Sequence, residues 1–304
     1  MRLVYFGTSD FAVPALRRLA PHIVLVVSQP DRPSGRGMRL TPSSVKLAAL
    51  ELGLPVETPD KARSPEFVES IRGLNADALI VAAYGQILPQ SLLDSAKQGG
   101  INLHGSILPF HRGAAPIQRA ILAGDPETGV TLMQMDKGMD TGDAIAIVRT
   151  PIGDDETYGV LQTRLAELAA GLIDEWVARV VAGDYRRTPQ DHGRATYAPK
   201  VEKAEAELRF DMDAAEAYRR FRAFTPSPGA FMRTRYGSIR FRSVRLGTVE
   251  GPPGALLTPD EVGFGGGSLR LLEIQPEGKR AMSLRDFANG VRLRVGESLT
   301  HDDA

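Results

Sequence analysis

Residues 3–28 read LVYFGTSDFAVPALRRLAPHIVLVVS, and this stretch decides the fold class. Leu3–Phe6 is a short, wholly apolar run, which predicts a buried strand. Apolar residues at helical spacing predict a helix over Phe11–Leu19, and Ile23–Ser28 predicts a second strand. Neither strand alternates between apolar and polar residues, as expected for a sheet that is covered on both faces. Strand, helix and strand in succession indicate a parallel α/β sheet.

The same alternation of strands and helices continues to residue 185. Ala78–Ala83 and Gly100–His104 predict further strands, and the apolar spacing of Tyr158–Val181 predicts one long amphipathic helix. We therefore predict that residues 1–185 form an α/β domain, Rossmann-like, with a mostly parallel sheet.

The character of the sequence changes after residue 185. Residues 186–206 lack periodicity and contain both proline and glycine, so we predict a linker there. Residues 207–304 contain one helical pattern, Ala214–Phe224, and short alternating segments between Gly- and Pro-rich turns. This arrangement predicts a small C-terminal β-barrel (OB-like) domain. Ser283 is placed to cap a last helix.

Composition narrows the classes of function. The chain has 304 residues, with 37 basic and 37 acidic side chains, so no global charge attracts nucleic acid or membranes. It has no cysteine, which excludes disulfides, thiolate metal sites and cysteine nucleophiles. No apolar run reaches the roughly 20 residues of a membrane span, and the first residues do not fit a secretory signal. We expect a cytoplasmic protein with no membrane partner.

The first loop does not fit a dinucleotide site. A dinucleotide fingerprint needs three glycines in the pattern GxGxxG so that a pyrophosphate can approach the helix N-terminus. Residues 7–12 read GTSDFA, with one glycine and an acid that would repel phosphate. We therefore expect no nicotinamide or flavin dinucleotide.

The densest group of polar side chains lies in residues 102–118, NLHGSILPFHRGAAPIQ. Asn102 and His104 stand at the end of a predicted strand, where ligands bind in open α/β sheets. Residues two apart share one face of a strand, so both side chains point the same way. An amide and an imidazole there can stabilise an acyl oxygen and move a proton. A hydrogen-bonded polar pair without catalysis explains the same pattern.

A second candidate segment is 135–143, MDKGMDTGD, which places three carboxylates in one predicted loop. One of them can orient and charge a histidine, as in triad-like sites. An acidic turn with glycines at positive φ is the structural alternative. The aspartates could also bind Mg²⁺, but nothing else in the sequence is directed at phosphate, and we expect no metal.

Several separated motifs together resemble the folate-dependent formyltransferases, most closely the members that act on tRNA. The resemblance runs through nearly the whole chain and rests on residues 102–118 with Asp140, and on the stretches FGT (6–8), QPDRPSGRG (29–37), VAAYGQILP (81–89), YAPK (197–200), RAF (222–224) and PSPG (226–229). His111 departs from the family, which usually has an aromatic or basic residue there.

The resemblance implies a formyl transfer from 10-formyltetrahydrofolate to the α-amine of methionyl-initiator tRNA, with Asn102, His104 and Asp140 as the catalytic residues. It further implies that one loop holds tetrahydrofolate and that another lines the pterin pocket. The former consists of Ser106, Ile107, Leu108 and Pro109, and the latter of Gly85, Gln86, Ile87 and Leu88.

Basic residues cluster although the net charge is zero. Residues 217–249 contain eight arginines and no acid, and residues 32–46 contain no acid either. On alternating strands such arginines form stripes that suit a phosphate backbone, although a solvated face is the simpler explanation. In the resembled family the 32–46 segment enters the acceptor stem. The predicted tRNA contacts are Arg36, Arg39, Lys46, Arg233, Arg235, Arg240 and Arg242.

Two other functions compete with this prediction. A related enzyme could formylate a sugar or nucleotide amine with the same three residues, but it would not need the arginine-rich C-terminal domain. A non-catalytic RNA-binding protein would not need Asn102, His104 and Asp140. We expect initiator methionyl-tRNA and formyl-folate as partners and no obligate protein partner.

Overall fold

A computed structural model describes residues 1–34 and 39–300 and divides the chain into two units. Unit 1 consists of Met1–Pro116, Glu127–Pro151 and Gln162–Pro199, and the rest of the chain forms unit 2. Arg36, one of the predicted tRNA contacts, lies outside the described residues.

Strands and helices alternate along the N-terminal two thirds of the chain. The strands are β1 (Leu3–Gly7), β2 (Ile23–Val27), β3 (Arg32–Ser34), β4 (Arg39–Thr41), β5 (Val56–Glu57), β6 (Ala78–Ala82), β7 (Gly100–His104), β8 (Arg112–Gly113), β9 (Glu127–Gln134), β10 (Ala144–Pro151) and β11 (Tyr197–Ala198). The helices are α1 (Val13–Leu19), α2 (Ser44–Glu51), α3 (Pro65–Gly73), α4 (Gln90–Leu93), α5 (Pro116–Ala123) and α6 (Tyr158–Ala182).

The main sheet of unit 1 has the order β10-β9-β7-β6-β1-β2-β5. Strands β7, β6, β1, β2 and β5 are parallel to their neighbours in this order, whereas β9 pairs antiparallel with both β7 and β10. Every residue of β1, β6 and β7 is buried, which explains their continuous apolar runs. The predicted Rossmann-like, mostly parallel sheet is confirmed, with an antiparallel edge that we did not predict.

The first helix differs from the prediction at its N-terminus. Asp10–Ala12 forms a 3₁₀ turn, and α1 begins only at Val13. Proline is the second residue of α1, where its missing N–H is tolerated. The long helix predicted over Tyr158–Val181 is confirmed, since α6 covers Tyr158–Ala182.

The stretch predicted as a linker carries structure of its own. Residues 186–199 belong to unit 1, and β11 within them pairs in parallel with β8. Gln190 and Ala198 are buried there. A 3₁₀ turn at Lys203–Ala206 follows in unit 2. The domain boundaries at 185 and 207 stay a prediction.

Unit 2 contains the predicted helix α7 (Ala214–Phe224), an antiparallel sheet and a last helix, α8 (Leu284–Val291). Asp213 caps α7, and Ser283 caps α8 as predicted, accepting the N–H of Asp286. The sheet order is β12-β13-β16-β15-β14. Its strands are β12 (Phe231–Thr234), β13 (Gly237–Leu246), β14 (Leu256–Thr258), β15 (Glu261–Phe264) and β16 (Gly267–Pro276). This sheet confirms the predicted barrel-like domain.

Within residues 1–34 and 39–300, no helix combines the length and the apolar character that crossing a lipid bilayer requires.

Candidate active site

Asn102 and His104 lie on one face of β7, at its carboxyl end. Asn102 is opposite Val81 of β6 and Met133 of β9, and His104 is opposite Thr131 of β9. The two side chains are 9% and 5% exposed, so each needs partners inside the protein. Their placement in the middle of the main sheet makes them a rigid part of the site.

A backbone carbonyl fixes the ring of His104. Its Nε2 lies 2.9 Å from the carbonyl oxygen of His111. A carbonyl oxygen only accepts, so Nε2 carries a hydrogen and donates it. The other nitrogen, Nδ1, faces Asp140, with 3.6 Å between Nδ1 and Oδ2. His111 has a φ of +57°, a left-handed conformation that aims its carbonyl at the ring.

Asp140 lies in the loop between β9 and β10, and both of its carboxylate oxygens have donors. Oδ1 lies 3.4 Å from Asn102 Nδ2, and Oδ2 accepts the backbone N–H of Gly113 at 2.9 Å. Asp136, in the same loop, is exposed and accepts from Gly138 N and Thr141 Oγ1. Of the aspartates in the predicted acidic segment, Asp140 is therefore the one that meets His104.

The separation of 3.6 Å is too long for a hydrogen bond, so Asp140 acts on the ring through its charge. With Nε2 held by the backbone, Nδ1 is the nitrogen that can exchange a proton with a substrate. An amide, an imidazole and a carboxylate thus meet at the carboxyl end of one strand, as needed for acid–base catalysis at an acyl carbon.

Sequence reasoning missed three contributors to this arrangement. The carbonyl of His111 and the N–H of Gly113 are backbone groups, which no residue pattern reveals. Gln190 lies in the predicted linker, yet its amide donates to the carbonyl oxygens of Asp140 and Gly142 at 2.9 and 2.6 Å. The proximity of proline and glycine to Gln190 led to the linker prediction and concealed this contact.

Comparisons with known proteins decide the family. A family model described as formyl transferase matches residues 2–177, and one described as formyl transferase, C-terminal domain, matches residues 200–292. A methionyl-tRNA formyltransferase of Geobacter metallireducens is 42% identical over 99% of each chain. One of Chromobacterium violaceum is 46% identical over 98% of this chain and 99% of its own. The chain belongs to the methionyl-tRNA formyltransferase family.

Solved structures of other formyltransferases share the fold. An N-formyltransferase of Helicobacter canadensis, solved with folinic acid and dTDP-3-aminofucose, has a TM-score of 0.65 at 17% identity, over 89% of this chain and 98% of its own. HypX of Aquifex aeolicus, solved with tetrahydrofolic acid, has a TM-score of 0.65 at 17% identity, over 98% of this chain and 48% of its own. At this identity the likeness concerns the fold alone.

In this member of the methionyl-tRNA formyltransferase family, the loop Ser106–Pro109 directly follows β7. The hydroxyl of Ser106 is fully buried and donates to the carbonyl of Phe110 at 2.6 Å. The Leu108 N–H donates to Thr131 Oγ, and that hydroxyl donates to the carbonyl of Ser106. Thr131 of β9 therefore holds the backbone of Ser106 and Leu108 in place.

The second loop, Gly85–Leu88, follows the neighbouring strand β6, so it lies at the same edge of the sheet. Gly85 has a φ of +85°, and a Cβ there would come within 2.4 Å of Gln29 Nε2. The Gln86 side chain accepts from Ala62 N and so holds the loop. Ile87 is 82% exposed, an unusual position for a large apolar side chain next to the candidate site.

The predicted tRNA contacts differ from one another in exposure and in their ion pairs. In unit 1, Arg39 is exposed on β4, whereas Lys46 forms an ion pair with Asp31 at 2.8 Å. In unit 2, Arg233 pairs with Glu207 at 3.2 Å, and Arg235 follows the end of β12 and stacks on Tyr236. The remaining two, Arg240 and Arg242, are exposed on one face of β13 and have no carboxylate partner among residues 39–300.

Proposed function

We propose that this protein transfers the formyl group of 10-formyltetrahydrofolate to the α-amine of methionine esterified to initiator tRNA. The observation that carries the proposal is the meeting of Asn102, His104 and Asp140 within 3.4–3.6 Å at the carboxyl end of β7. Family membership over the full chain supports the same chemistry. A sugar amine as acceptor is not favoured, because the sugar-directed neighbour is only 17% identical.

The reaction needs a neutral amine, an acceptor for oxyanion charge and a path for one proton. A free α-amine has a pKa of about 7.7–8.0, so about a quarter to two fifths of it is neutral at pH 7.5. Its nitrogen attacks the formyl carbon, and the resulting oxyanion accepts hydrogen bonds from the amide of Asn102 and from Nδ1–H of His104. As the oxyanion collapses to the carbonyl and the bond to N10 breaks, His104 Nδ1–H gives its proton to N10, and the neutral Nδ1 then takes the proton that the former amine loses. Asp140 balances the positive charge of the ring before and after this exchange.

The two loops beyond β6 and β7 supply the folate site in this proposal. The exposed side chain of Ile87 offers an apolar surface to a pterin ring, and the buried, hydrogen-bonded loop Ser106–Pro109 offers a fixed backbone. Both loops start from adjacent parallel strands, so a folate bound between them presents N10 to the catalytic residues.

The predicted basic residues supply the tRNA contacts in this proposal. Arg36, Arg39 and Lys46 would contact the tRNA from unit 1, and the predicted arginines of β12 and β13 from unit 2. Arg240 and Arg242 support this proposal most directly, because neither has an intramolecular carboxylate partner in the described part of unit 2. The cytoplasmic location stays a prediction.

The test is formylation by the purified protein. With 10-formyltetrahydrofolate and methionine-charged initiator tRNA, we expect N-formylmethionine after the amino acid is released and analysed by mass spectrometry. Parallel reactions replace the charged tRNA with a nucleotide-linked amino sugar or omit the folate. Formylation of the sugar amine but not of the tRNA would contradict the proposal.

A further inference from the structure

The buried side chain of Gln190 joins two points of the loop that carries Asp140. Its Nε2 donates to the carbonyl oxygen of Asp140 at 2.9 Å and to that of Gly142 at 2.6 Å. Both amide hydrogens are therefore used, and the bonds reach the loop on each side of Thr141. The contact fixes the backbone of the loop without touching the Asp140 carboxylate.

Arg112 holds the other end of the Gln190 amide. Its Nε and Nη2 donate to Gln190 Oε1 at 3.1 and 2.7 Å. Since a guanidinium has only donors, the oxygen of the amide must face Arg112 and the nitrogen must face the loop. Arg112 is buried in β8, next to Gly113, whose N–H binds Asp140 Oδ2. The same strand, β8, thus holds both the Gln190 amide, through Arg112, and the Asp140 carboxylate, through Gly113.

Asp140 needs such support because its backbone is strained. Its φ of +53° is a left-handed conformation that non-glycine residues adopt at a free-energy cost and keep only when neighbouring groups hold them there. A relaxed backbone would turn the carboxylate away from His104 Nδ1, which lies 3.6 Å from Oδ2. We infer that Gln190 is a positioning residue that holds Asp140 against His104 during formyl transfer, an inference that rests on the proposed function.

The test variant is Gln190→Glu, which keeps the shape and the oxygen that Arg112 binds. The carboxylate cannot donate to the two carbonyls, and Arg112 supplies the counter-charge that lets it fold. Because misplacing a catalytic group by about 1 Å can lower a rate 10²-fold, we expect kcat to fall about 10- to 100-fold. We expect KM for folate and for charged tRNA to be unchanged, since Gln190 contacts neither predicted site. Gln190→Met, which removes the donors without adding charge, should lower kcat similarly.

Gln98→Glu is the matched control. Gln98 is a partly buried glutamine of unit 1 that also donates to a backbone carbonyl, that of Val181, and it is not near Asp140 in the hydrogen-bond network. The kcat of the Gln98→Glu variant should equal that of the unaltered protein. A rise in KM with unchanged kcat in Gln190→Glu would overturn the inference.

A double-mutant cycle separates positioning from a general structural role. If Gln190 acts through Asp140, Gln190→Glu should lower kcat by less than about twofold in an Asp140→Asn background, because the effects of independent sites add and those of coupled sites do not. An equal loss in both backgrounds would overturn the inference. Failure of the proposed function looks different, because the unaltered protein would then form no formylated tRNA.

Discussion

At the scale of single residues, the two nitrogens of the His104 ring have different neighbours and therefore different tasks. Nε2 donates to the His111 carbonyl at 2.9 Å, which sets the plane of the ring, while Nδ1 lies 3.6 Å from the Asp140 carboxylate. The backbone orients the ring and the carboxylate stabilises its charge. We had expected one residue, Asp140, to do both.

Removing either member of this pair should abolish most of the transition-state stabilisation. For His104→Ala and for Asp140→Asn we expect the single-turnover formyl transfer rate to fall by about 10²–10³, the typical effect of losing one such group. His22→Ala is the control, because His22 precedes the amino end of β2, at the opposite edge of the sheet. A rate within the error of the unaltered protein for either site variant would refute the assignment.

Tyr84 gives a prediction about stability. Its ring packs edge-on against Phe6 with centroids 5.3 Å apart, and its buried hydroxyl has no hydrogen-bond partner among residues 1–34 and 39–300. Burial raises the pKa of Tyr84 to about 12, so the side chain is neutral at physiological pH. Because an unsatisfied buried hydroxyl costs roughly 1–3 kcal/mol, Tyr84→Phe should raise the free energy of unfolding, measured by urea denaturation, by about 1 kcal/mol.

Tyr5 provides the matched comparison for that measurement. It is also fully buried, but its hydroxyl donates to the carbonyl of Ala12 at 2.5 Å. Tyr5→Phe leaves that carbonyl unpaired and should lower the free energy of unfolding by about 1 kcal/mol. Equal shifts in the same direction for the two variants would show that hydrogen bonding of the hydroxyl does not determine the outcome.

The side chains of the candidate site were easier to predict than the groups that hold them. Asn102 and His104 follow from two-residue spacing at a strand end, and Asp140 from a loop of carboxylates together with the family resemblance. The His111 carbonyl and the Gly113 N–H belong to the region of β8, whose pairing with β11 is a tertiary contact. No local residue pattern encodes them.

At the scale of elements, the predictions succeeded where one physical signal dominated. Strands β1, β2 and β6 are continuous apolar runs, and α6 and α7 have clear apolar stripes. Strand β9 is buried on both faces but contains two threonines and a glycine, so no period stands out. Strands β14 and β15 have three and four residues, too few for alternation to be recognised.

Helix α6 carries a glycine that its structure does not require. A Cβ added at Gly171 would have no heavy atom within 4 Å, and the position is exposed. Glycine in a helix interior is less favourable than alanine by roughly 0.5–1 kcal/mol, so Gly171→Ala should raise the free energy of unfolding by that amount. In the same helix, a Cβ at Gly159 would lie 2.7 Å from Pro226, so Gly159→Ala should destabilise the protein. Denaturation curves of both variants measure these changes. If both variants were stabilised, the close approach of Pro226 to Gly159 would not limit the side chain at that position.

At the scale of the whole molecule, zero net charge conceals an uneven distribution. Thirty-seven basic and thirty-seven acidic residues balance, yet residues 217–249 contain eight arginines without an acid. Several of these arginines do have acidic partners from other segments, as Arg233 has in Glu207 and Arg245 in Asp155. Counting arginines along the sequence therefore overstates the positive charge that no carboxylate neutralises. Arg240 and Arg242 have no carboxylate partner among residues 39–300 and can contact phosphate groups.

The salt dependence of tRNA binding should show whether Arg240 and Arg242 contact phosphate groups. Each phosphate contact contributes about 0.7–0.9 to the slope of log affinity against log salt concentration. We expect the double variant Arg240→Gln, Arg242→Gln to bind charged initiator tRNA more weakly and to reduce that slope by about 1.4–1.8. Fluorescence titrations at several salt concentrations measure both quantities.

Arg209→Gln is the control for that titration, because Arg209 is exposed in unit 2 but forms an ion pair with Asp211 at 3.0 Å. Its removal should leave the slope unchanged. An unchanged slope in the Arg240 and Arg242 variant would show that this face of β13 does not contact phosphate.

The stretch that follows α6 remains part of unit 1 as far as Pro199. Gln190 reaches the Asp140 loop, Thr196 accepts the His111 N–H at 2.9 Å, and β11 pairs with β8. Chimeras that exchange C-terminal parts between relatives should therefore be joined after Pro199. A junction at residue 185 would combine the candidate site of one parent with Gln190 and Thr196 of the other.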